Sequence, residues 1–326
     1  MSEQTSKIAI IGAGSVGATI AYACMIRGVA KQIVLYDVNR AKVDAEVLDL
    51  NHGLQFARPA TVEGSDDIGL CADADVIVMT AGAKQKPGQT RMDLATANTD
   101  ICRKLIPDLL RLAPSAVLLL VTNPVDVITY ICQKISGLPQ RRVFGSGTVL
   151  DSSRFRFLIG QRLRVAVQNV HANIAGEHGD SEIPLWSSAD VGNVPLHEWA
   201  VMGHGKLTVR DRTEIFQNVK DAAQQIIKGK GATNYAIGLA TARILEAVLK
   251  DENAILPVSG LLTNYQPIGE GRDPTDVLND ICLSVPSIVN RGGLETSLRV
   301  PMNDAEWAGI KNSAEVIRSA IRSCGF

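Results

Sequence analysis

The chain has 326 residues, of which 46% are hydrophobic and 21% are charged, and its formal net charge at pH 7 is −1. This length and apolar content suffice for two domains with buried cores, and they argue against an intrinsically disordered chain. Because both signs of charge are mixed along the sequence, it has neither a basic face for nucleic acid nor a polybasic segment for a membrane surface. The composition therefore favours a site for a small molecule, with no nucleic acid and no membrane as partner.

The cysteines and histidines indicate a reduced protein without a metal site. The six cysteines lie far apart and form no Cys-x-x-Cys pair, so a reduced, cytoplasmic protein is the simplest interpretation. The five histidines show no His-Glu-x-x-His spacing, and no bound metal is expected. A polar N-terminus precedes an apolar run that Gly12 and Gly14 interrupt, so neither a signal peptide nor a transmembrane helix is predicted.

The first motif is a glycine-rich turn between a strand and a helix. An apolar run at residues 7–11 ends in Gly12-x-Gly14-x-x-Gly17, and a helical pattern continues to residue 27. A lone motif of this kind is weak, since glycine-rich turns are common. In a strand–turn–helix context, however, it lets backbone N–H groups and the helix N-terminus approach a pyrophosphate.

An acidic residue follows at the distance that dinucleotide binding requires. The next apolar run, residues 32–36, ends at Asp37, about 20 residues after the last glycine of the motif. A carboxylate there accepts hydrogen bonds from a ribose diol and repels a 2′-phosphate, so NAD is predicted rather than NADP, although Arg40 is close enough in sequence to weaken the preference. Asp37 could instead only cap the helix predicted at residues 40–51, but that interpretation does not explain the spacing.

Further strands, predicted at residues 61–64, 75–81, 117–122 and 142–145, alternate with helices. This order predicts an α/β fold of the Rossmann type, a doubly wound parallel sheet with helices on both faces and its ligand beyond the carboxyl ends of the strands. The alternation stops after Gly147. We therefore expect an NAD-binding domain at residues 1–147 and an α+β substrate-binding domain at residues 148–326, sharing a broad interface.

Two loops at strand ends are candidates for contacts with a ligand. Residues 80–91 form a basic loop containing Gly and Pro between a strand and a helix predicted at residues 95–113, so the loop can close over a substrate without unfolding either element. The second loop contains Asn123, which could bind nicotinamide or substrate but could equally belong to an ordinary Asn-Pro turn before a helix.

The candidate residues of the second half are an aspartate, two arginines and two histidines. In the helix predicted at residues 149–164, Asp151 and Arg154 share one face, whereas Arg156 is turned about 200° from Arg154. Asp151 could be a simple helix-start carboxylate and Arg156 a solvated charge. A strand predicted at residues 165–174 contains His171 and leads into Gly176-Glu177-His178-Gly179-Asp180. The residues alone favour an exposed turn for His178 over an imidazole that a ligand approaches closely.

Other elements are expected as helices at residues 208–228, 234–249 and 305–323, strands at 254–262 and 281–288, and a hairpin turn at 290–293.

Taken together, these motifs resemble, in order and over essentially the whole chain, the L-lactate/malate dehydrogenase superfamily, and more narrowly its bacterial lactate-specific members. The resemblance rests on the glycine motif with Asp37, Gln85-Lys86-Pro87-Gly88 with Arg91, Thr122-Asn123-Pro124, Asp151-Ser152-Ser153-Arg154, Gly176 to Asp180, and Lys230-Gly231-Ala232-Thr233. The set overturns the turn interpretation of His178.

The resemblance implies a role for each catalytic residue. His178 would exchange a proton with the substrate oxygen, because an imidazole can act as general acid and as general base. Asp151 would orient that ring, and Arg154 would hold the substrate carboxylate as a bidentate pair. Arg91, brought in by loop closure, would polarise the carbonyl, and Asn123 would help to place substrate and nicotinamide.

The resemblance also implies the substrate, which is pyruvate or L-lactate. The family has Gln at the position of Gln85 in lactate enzymes and Arg in malate enzymes, and Thr233 would line the other side of the pocket. Malate or a larger acid such as 2-hydroxyisocaproate are the nearest alternatives. An NAD-dependent glycosidase or a non-enzymatic NAD sensor would be alternatives of another class, but the first uses a Cys/His metal site and the second would not need the four catalytic residues.

Cofactor, effector and assembly follow from the same resemblance. Arg156 and His171 match positions that bind fructose 1,6-bisphosphate at a subunit interface, and a homotetramer is the usual assembly. Gln89 and Asn234 stand where the family often has Glu and Tyr, respectively. The residues implied for NAD are Gly12, Gly14, Val16, Gly17, Asp37, Gly82, Ala83, Val121, Asn123 and Ser146.

Overall fold

The computed structural model of the chain describes residues 6–83, 91–200, 206–269 and 271–326, and for residues 91 and 92 the backbone alone. Gln85 and the side chain of Arg91, to which the sequence assigns substrate contacts, therefore lie outside the described residues. Among the described helices, none is both long and apolar enough to cross a membrane.

The first half alternates strands with helices, as predicted. The helices are α1 (Ser15–Arg27), α2 (Arg40–Gly53), α3 (Arg91–Leu112) and α4 (Val125–Ser136). The strands are β1 (Lys7–Ile11), β2 (Gln32–Tyr36), β3 (Thr61–Ser65), β4 (Val76–Met79), β5 (Val117–Leu120) and β6 (Val143–Gly145). Strands β1, β4 and β5 are rich in Val, Ile and Leu and almost wholly buried, as expected for a parallel sheet covered on both faces.

These six strands form a parallel sheet in the order β6-β5-β4-β1-β2-β3. This order is that of dinucleotide-binding domains, and it confirms the predicted fold class. The strand order reverses between β1 and β4. Ligands of open α/β sheets bind at such a reversal, beyond the carboxyl ends of the strands.

The second half is a mixture of helices and antiparallel strands. Its helices are α5 (Val149–Leu163), α6 (Val209–Lys230), α7 (Tyr235–Leu249) and α8 (Asp304–Ser323). Its strands are β7 (Val170–His171), β8 (Ile174–Ala175), β9 (Ile183–Pro184), β10 (Asp190–Val191), β11 (Val194–Pro195), β12 (Ala254–Leu262), β13 (Ile281–Asn290) and β14 (Gly293–Ser297). Four short 3-10 segments lie at Leu54–Phe56, Ile68–Cys71, Gln140–Arg142 and Val167–Asn169.

The antiparallel strands β12, β13 and β14 extend the parallel sheet to nine strands, because Ser259 of β12 pairs with Gly145 of β6. The main apolar core crosses the same junction and contains Ile10 and Phe144 from the first half together with Leu245 and Val258 from the second. Side chains from both halves therefore meet around β6, close to the carboxyl ends of the parallel strands.

The strand predicted at residues 165–174 is wrong. The segment forms the 3-10 turn Val167–Asn169 and then two short strands that belong to different sheets, β7 paired with β10 and β8 paired with β9. The break follows from two side-chain hydroxyl groups that form hydrogen bonds with the backbone of Ile174. Its carbonyl accepts a hydrogen bond from Thr148 Oγ1 at 2.6 Å, and its N–H donates to Ser152 Oγ at 2.9 Å.

Candidate active site

The glycine turn after β1 has the geometry that a bound pyrophosphate requires. Gly12 has a φ of +105°, and a Cβ on Gly17 would lie 1.9 Å from the Gly12 carbonyl oxygen, so neither position accepts a side chain. Gly14 is the N-cap of α1 and supplies no capping side chain, so the first N–H groups of that helix have no side-chain partner there. A helix start of this kind fits the phosphates of a dinucleotide.

Asp37 follows β2 and faces the glycine turn. Its Oδ2 accepts a hydrogen bond from the Ala13 N–H at 2.8 Å, and its Oδ1 accepts one from the Asn39 N–H at 3.0 Å. The N-cap of α2 is Asn39, whose side chain accepts from the Lys42 N–H, so Asp37 does not cap this helix. Arg40 binds Asp44 and Asp66 at 2.8 and 3.2 Å. With that guanidinium engaged by two carboxylates, the site fits a ribose diol better than a 2′-phosphate.

The ends of β4 and β5 are tied together by a buried asparagine of α3. Asn98 is 1% exposed, accepts a hydrogen bond from the Ala83 N–H at 2.7 Å and donates one to the Asn123 carbonyl at 2.6 Å. The peptide bond between Asn123 and Pro124 is cis. The side chain of Asn123 is exposed, and Pro124, the N-cap of α4, makes no side-chain capping bond.

The other residues that the sequence assigns to NAD follow the same arrangement. Because the strands are parallel, the residues that follow β1, β2, β4, β5 and β6 lie at one edge of the sheet. The structure thus brings together ten residues that the sequence assigns to NAD, namely Gly12, Gly14, Val16, Gly17, Asp37, Gly82, Ala83, Val121, Asn123 and Ser146.

The charged groups of α5 converge on His178 at this edge. Asp151 stands in the first turn of α5, directly after β6, and is 2% exposed. One of its oxygens lies 2.5 Å from His178 Nδ1, and the other accepts a hydrogen bond from Arg154 Nη1 at 2.8 Å. The i, i+3 spacing thus puts Asp151 and Arg154 side by side as predicted. His178 is not an exposed turn residue, since its side chain is 28% exposed and is held by a buried carboxylate.

This contact favours the charged forms of both partners. The Asp151 carboxylate raises the pKa of His178 to about 9, although burial of the ring opposes that shift. Burial disfavours ionisation of Asp151, but the neighbouring His178 and Arg154 charges outweigh it and lower the pKa of this carboxyl group. With Nδ1 engaged by Asp151, the other ring nitrogen, Nε2, is the one left to meet a substrate.

Asp126 fixes the backbone of His178. This residue of α4 is 1% exposed, accepts the His178 N–H at 2.7 Å and accepts the hydroxyl of Ser259 at 2.6 Å. Burial raises the pKa of Asp126 to about 6 despite these two hydrogen bonds. The loop of His178 is therefore attached to both α4 and β12 through one carboxylate.

A third buried carboxyl group, that of Glu182, lies beside Asp151 and His178. One oxygen or nitrogen atom from each of Asp151, His178 and Glu182 lies within 4.8 Å of the other two, the one combination of metal-binding side chains found among the described residues. Two ligands of a tetrahedral zinc ion are about 3.3 Å apart. The 2.5 Å between His178 Nδ1 and Asp151 is a hydrogen-bond distance that leaves no room for an ion between them.

Arg156 points away from Asp151, as its position on the helix predicts. Its Nε donates to the Ala172 carbonyl at 2.7 Å and its Nη2 donates to Asn173 Oδ1 at 2.7 Å, so it lies against the segment that follows the exposed His171. Burial lowers the pKa of Arg156. Arg156 is not a solvated charge, and it lines a surface pocket of about 380 Å³ together with Ser153, Val167, Gln168 and Arg243.

Thr233 is half-buried in the turn between α6 and α7. The next residue, Asn234, donates to Thr19 Oγ1 of α1 at 2.9 Å and accepts from Lys230 at 2.6 Å. This turn is thus attached to the helix that follows the glycine motif. The positions of Gln85 and of the Arg91 guanidinium relative to it lie outside the described residues.

Sequence reasoning missed Asn98, Asp126 and Glu182 as parts of this site. Asn98 is a polar residue on the apolar face of a helix, which also carries Ala95 and Cys102, and such a position is a detectable signal. Asp126 similarly interrupts an apolar run. Glu182 has no comparable signal, because its surroundings come from α5 and the loop of His178.

Comparison with known proteins places the whole chain in one group. Residues 6–145 match the family profile described as lactate/malate dehydrogenase, NAD binding domain, and residues 148–325 match its alpha/beta C-terminal domain. The L-lactate dehydrogenase of Bifidobacterium animalis subsp. lactis is 51% identical over 322 residues, 98% of each chain. That of Acetivibrio thermocellus is 44% identical over 317 residues, covering 97% of this chain and 96% of the relative.

Two solved structures are similar over nearly their full length. A lactate dehydrogenase from a Medee basin deep-sea metagenome library has a TM-score of 0.91 at 36% identity, with 99% of each chain covered. The minor L-lactate dehydrogenase of Enterococcus mundtii, in a ligand-bound form, has a TM-score of 0.90 at 38% identity, with 98% of each chain covered.

Proposed function

Since the chain belongs to the lactate/malate dehydrogenase family, we propose that this NAD-dependent oxidoreductase catalyses the reversible reduction of pyruvate to L-lactate. Full-length relatives with this activity in their names support the substrate. The observation that carries the proposal is the buried Asp151, bonded to both His178 and Arg154. Asp151 holds His178, a proton donor, next to Arg154, a cation that can bind a carboxylate. Reduction of a 2-oxo acid requires a proton for the carbonyl oxygen and a partner for the carboxylate.

His178 is assigned to the proton transfer. NADH supplies a hydride when bound, so the protein must supply the proton that reaches the carbonyl oxygen. The imidazolium can donate it from Nε2, while Asp151 holds Nδ1 and stabilises the positive charge until the proton leaves. In the reverse direction the neutral imidazole accepts the proton of the lactate hydroxyl. Asp151 stays ionised throughout, which its position between two cationic groups favours.

Arg154 is assigned to the substrate carboxylate. Its side chain is 14% exposed, and its one described hydrogen bond uses Nη1, which leaves other N–H groups of the fork for a bidentate pair. Arg91 is assigned to the carbonyl oxygen, Asn123 to both ligands, and Gln85 with Thr233 to the methyl end of pyruvate. The assignments of Arg91 and Gln85 rest on the sequence motif.

Purified protein is expected to oxidise NADH with pyruvate, with a kcat/KM at least about tenfold above that for oxaloacetate, because a neutral pocket gives a second carboxylate no partner. Steady-state rates with pyruvate, oxaloacetate and 2-oxoisocaproate measure this preference. A higher kcat/KM for oxaloacetate would make it a malate dehydrogenase, and a higher value for 2-oxoisocaproate would favour a 2-hydroxyisocaproate enzyme. NADPH in place of NADH is expected to be the poorer donor because of Asp37.

The proposal includes a homotetramer, and an apolar surface supports assembly. Large side chains of α1, α2 and α7 are more than half exposed, namely Tyr22, Ile26, Leu48, Tyr235 and Leu239. Tyr22 and Tyr235 line one depression, next to α2. An exposed apolar surface of this kind is typical of one that another subunit covers. A cytoplasmic location is also proposed, on the six cysteines, all of which are free and buried.

We also propose activation by fructose 1,6-bisphosphate at Arg156 and His171. The contacts of Arg156 with Ala172 and Asn173 bring its guanidinium next to the segment of His171, and Arg243 lines the same pocket. Two guanidinium groups near one depression suit a bisphosphate. Because α5 carries Arg156 on one face and Asp151 with Arg154 on another, a ligand at this pocket can shift the catalytic groups through a single helix.

The bisphosphate is expected to lower the KM for pyruvate by about tenfold, which corresponds to a typical coupling energy between two sites. Arg156→Gln should remove most of this effect while leaving the kcat without bisphosphate within about twofold. Arg111→Gln, an exposed position on α3, serves as the matched control and should keep the activation. Steady-state kinetics with and without the bisphosphate measure it, and an unchanged KM in the wild-type protein would refute the effector site.

A further inference from the structure

Glu182 is a buried carboxyl group for which the proposed reaction has no role. It is 4% exposed, and its Oε1 has no hydrogen-bond partner among the described residues. Its backbone N–H donates to the Gly179 carbonyl at 3.2 Å, so Glu182 closes a turn that begins directly after His178. An unpartnered carboxyl oxygen is costly to bury, and such a group is kept only where its surroundings use it.

The surroundings of Glu182 are the catalytic groups themselves. An oxygen of Glu182 lies within 4.8 Å of both His178 and Asp151. Burial and then the negative charge of Asp151 raise the pKa of Glu182 to about 8, while the positive charges of His178, Arg154 and Lys220 oppose this shift. The acidic groups that raise the pKa of His178 are Asp151 of α5, Asp126 of α4 and Glu182 of its own loop. Glu177, its buried neighbour in the chain, accepts a hydrogen bond from the Ser181 N–H at 3.2 Å. Lys220 of α6 donates to the Asp180 carbonyl at 2.7 Å, two residues before Glu182 in the chain.

We propose that Glu182 is a positioning residue that acts through His178, forming with Asp151 a pair of carboxyl groups that share protons with the imidazole and set the pH range of proton donation. This inference rests on the proposed role of His178 in pyruvate reduction. At neutral pH, Glu182 is protonated and adds no charge to the site. As the pH rises, it ionises, and its negative charge then favours the imidazolium. The enzyme consequently keeps a protonated His178, and with it pyruvate reduction, to a higher pH than Asp151 alone would allow.

The direction of the pH shift on removing Glu182 follows from the protonation state of His178 that pyruvate reduction requires. Reduction of pyruvate needs the imidazolium, so the fall of kcat/KM at alkaline pH, the alkaline limb of the pH profile, marks the loss of the His178 proton. Removing the ionisable group at position 182 removes the charge that retains this proton, and the limb moves to lower pH. At acidic and neutral pH, glutamine resembles the protonated glutamic acid and the rate changes little. A group that only stabilised the turn would lower the rate by the same factor at every pH.

The test is the pH dependence of kcat/KM for pyruvate in the wild-type protein and in Glu182→Gln, between about pH 6 and pH 10. The alkaline limb of the variant is expected about one pH unit lower, which is about a tenfold loss at the alkaline end, with rates within about twofold at pH 6. Glu182→Asp, which retains a carboxyl group, should restore the limb towards its wild-type position. Glu306→Gln is the matched control, because Glu306 is also buried but its carboxylate accepts from Ser187 and Asn303.

A second readout does not depend on activity. NMR titration of labelled histidine, with the His178 signal identified by its loss in His178→Asn, should show a lower pKa for His178 in Glu182→Gln than in the wild-type protein. The role of Glu182 would be overturned if His178 titrated identically in the wild-type protein and in Glu182→Gln, or if the alkaline limb of kcat/KM did not move in an active variant. Either result would leave the proposed function intact. A wild-type protein that reduces no 2-oxo acid would refute the proposed function, while the titration would still decide whether Glu182 acts on His178.

Discussion

Replacing His178 with asparagine is expected to lower kcat/KM for pyruvate by about 10³-fold, since a positioned general acid contributes about 10²- to 10⁴-fold. Asparagine can still donate a hydrogen bond to Asp151, but its amide cannot deliver a proton to the substrate oxygen. The loss should fall on kcat in both directions, because the proposed mechanism uses the same imidazole as proton donor in reduction and as proton acceptor in oxidation. Steady-state kinetics with pyruvate and NADH, and with L-lactate and NAD, measure both effects.

NADH binding separates lost chemistry from lost structure in this variant. The glycine turn and Asp37 follow β1 and β2, which are separated in the sheet from β6 and β12 near His178. The NADH dissociation constant of His178→Asn, measured by fluorescence, should therefore stay within about twofold of the wild-type value. His197→Asn is the control, because His197 is exposed and pairs only with the exposed Glu198 among the described residues. An active His178→Asn protein would contradict the assignment of the proton donor. A protein that also loses NADH would instead indicate collapse of the site.

The sequence predicts much of the fold because its signals are local. Apolar runs and glycine breaks mark β1, β2, β4 and β5 to within about two residues, which is the usual uncertainty of element ends. The alternation of strands and helices then restricts the order of a parallel sheet. The broken segment at residues 165–174 is different. Its apolar residues suit one strand, but Thr148 and Ser152, more than twenty residues away, bind the backbone of Ile174 through their hydroxyl groups, and Ile174 pairs with β9 instead of continuing β7.

In the site, too, some contacts follow from local spacing and others depend on residues far apart in the sequence. Spacing alone places Asp151 beside Arg154 on one helical face, and the structure has them 2.8 Å apart. Spacing cannot place His178 on Asp151, which is 27 residues away, and the residues alone favour an exposed turn. Only the ordered set of motifs points to that contact. Glu182 lies beyond both methods, since it acts through the surroundings that the folded chain supplies to a common residue type, whereas Asp126 is marked in the sequence as a charge that interrupts an apolar run.

Replacing Gln85 with arginine is expected to reverse the substrate preference, changing the ratio of kcat/KM for oxaloacetate to that for pyruvate by about 10³-fold. A site built to hydrogen-bond a polar group of its substrate rejects an analogue that lacks the group by even larger factors, because its own buried polar groups are then left unpaired. In a closed pocket, an arginine opposite the methyl group of pyruvate would be a buried charge without a partner. Opposite the second carboxylate of oxaloacetate, it would form a charge-assisted pair. The ratio should therefore change through both a loss with pyruvate and a gain with oxaloacetate.

The chain offers a control for this exchange four residues further along. Gln89→Arg adds the same charge to the same segment of the sequence, so a general attraction of dianions to a more basic loop would raise the oxaloacetate rate in both variants. A specific contact would raise it in Gln85→Arg alone, and salt would weaken the general effect more than the specific one. Equal ratios in the two variants, or an unchanged ratio in Gln85→Arg, would mean that position 85 does not choose the substrate. The choice would then depend on another position, and the proposed one is Thr233, in the turn that joins α6 to α7 next to the Asn234 contact with α1.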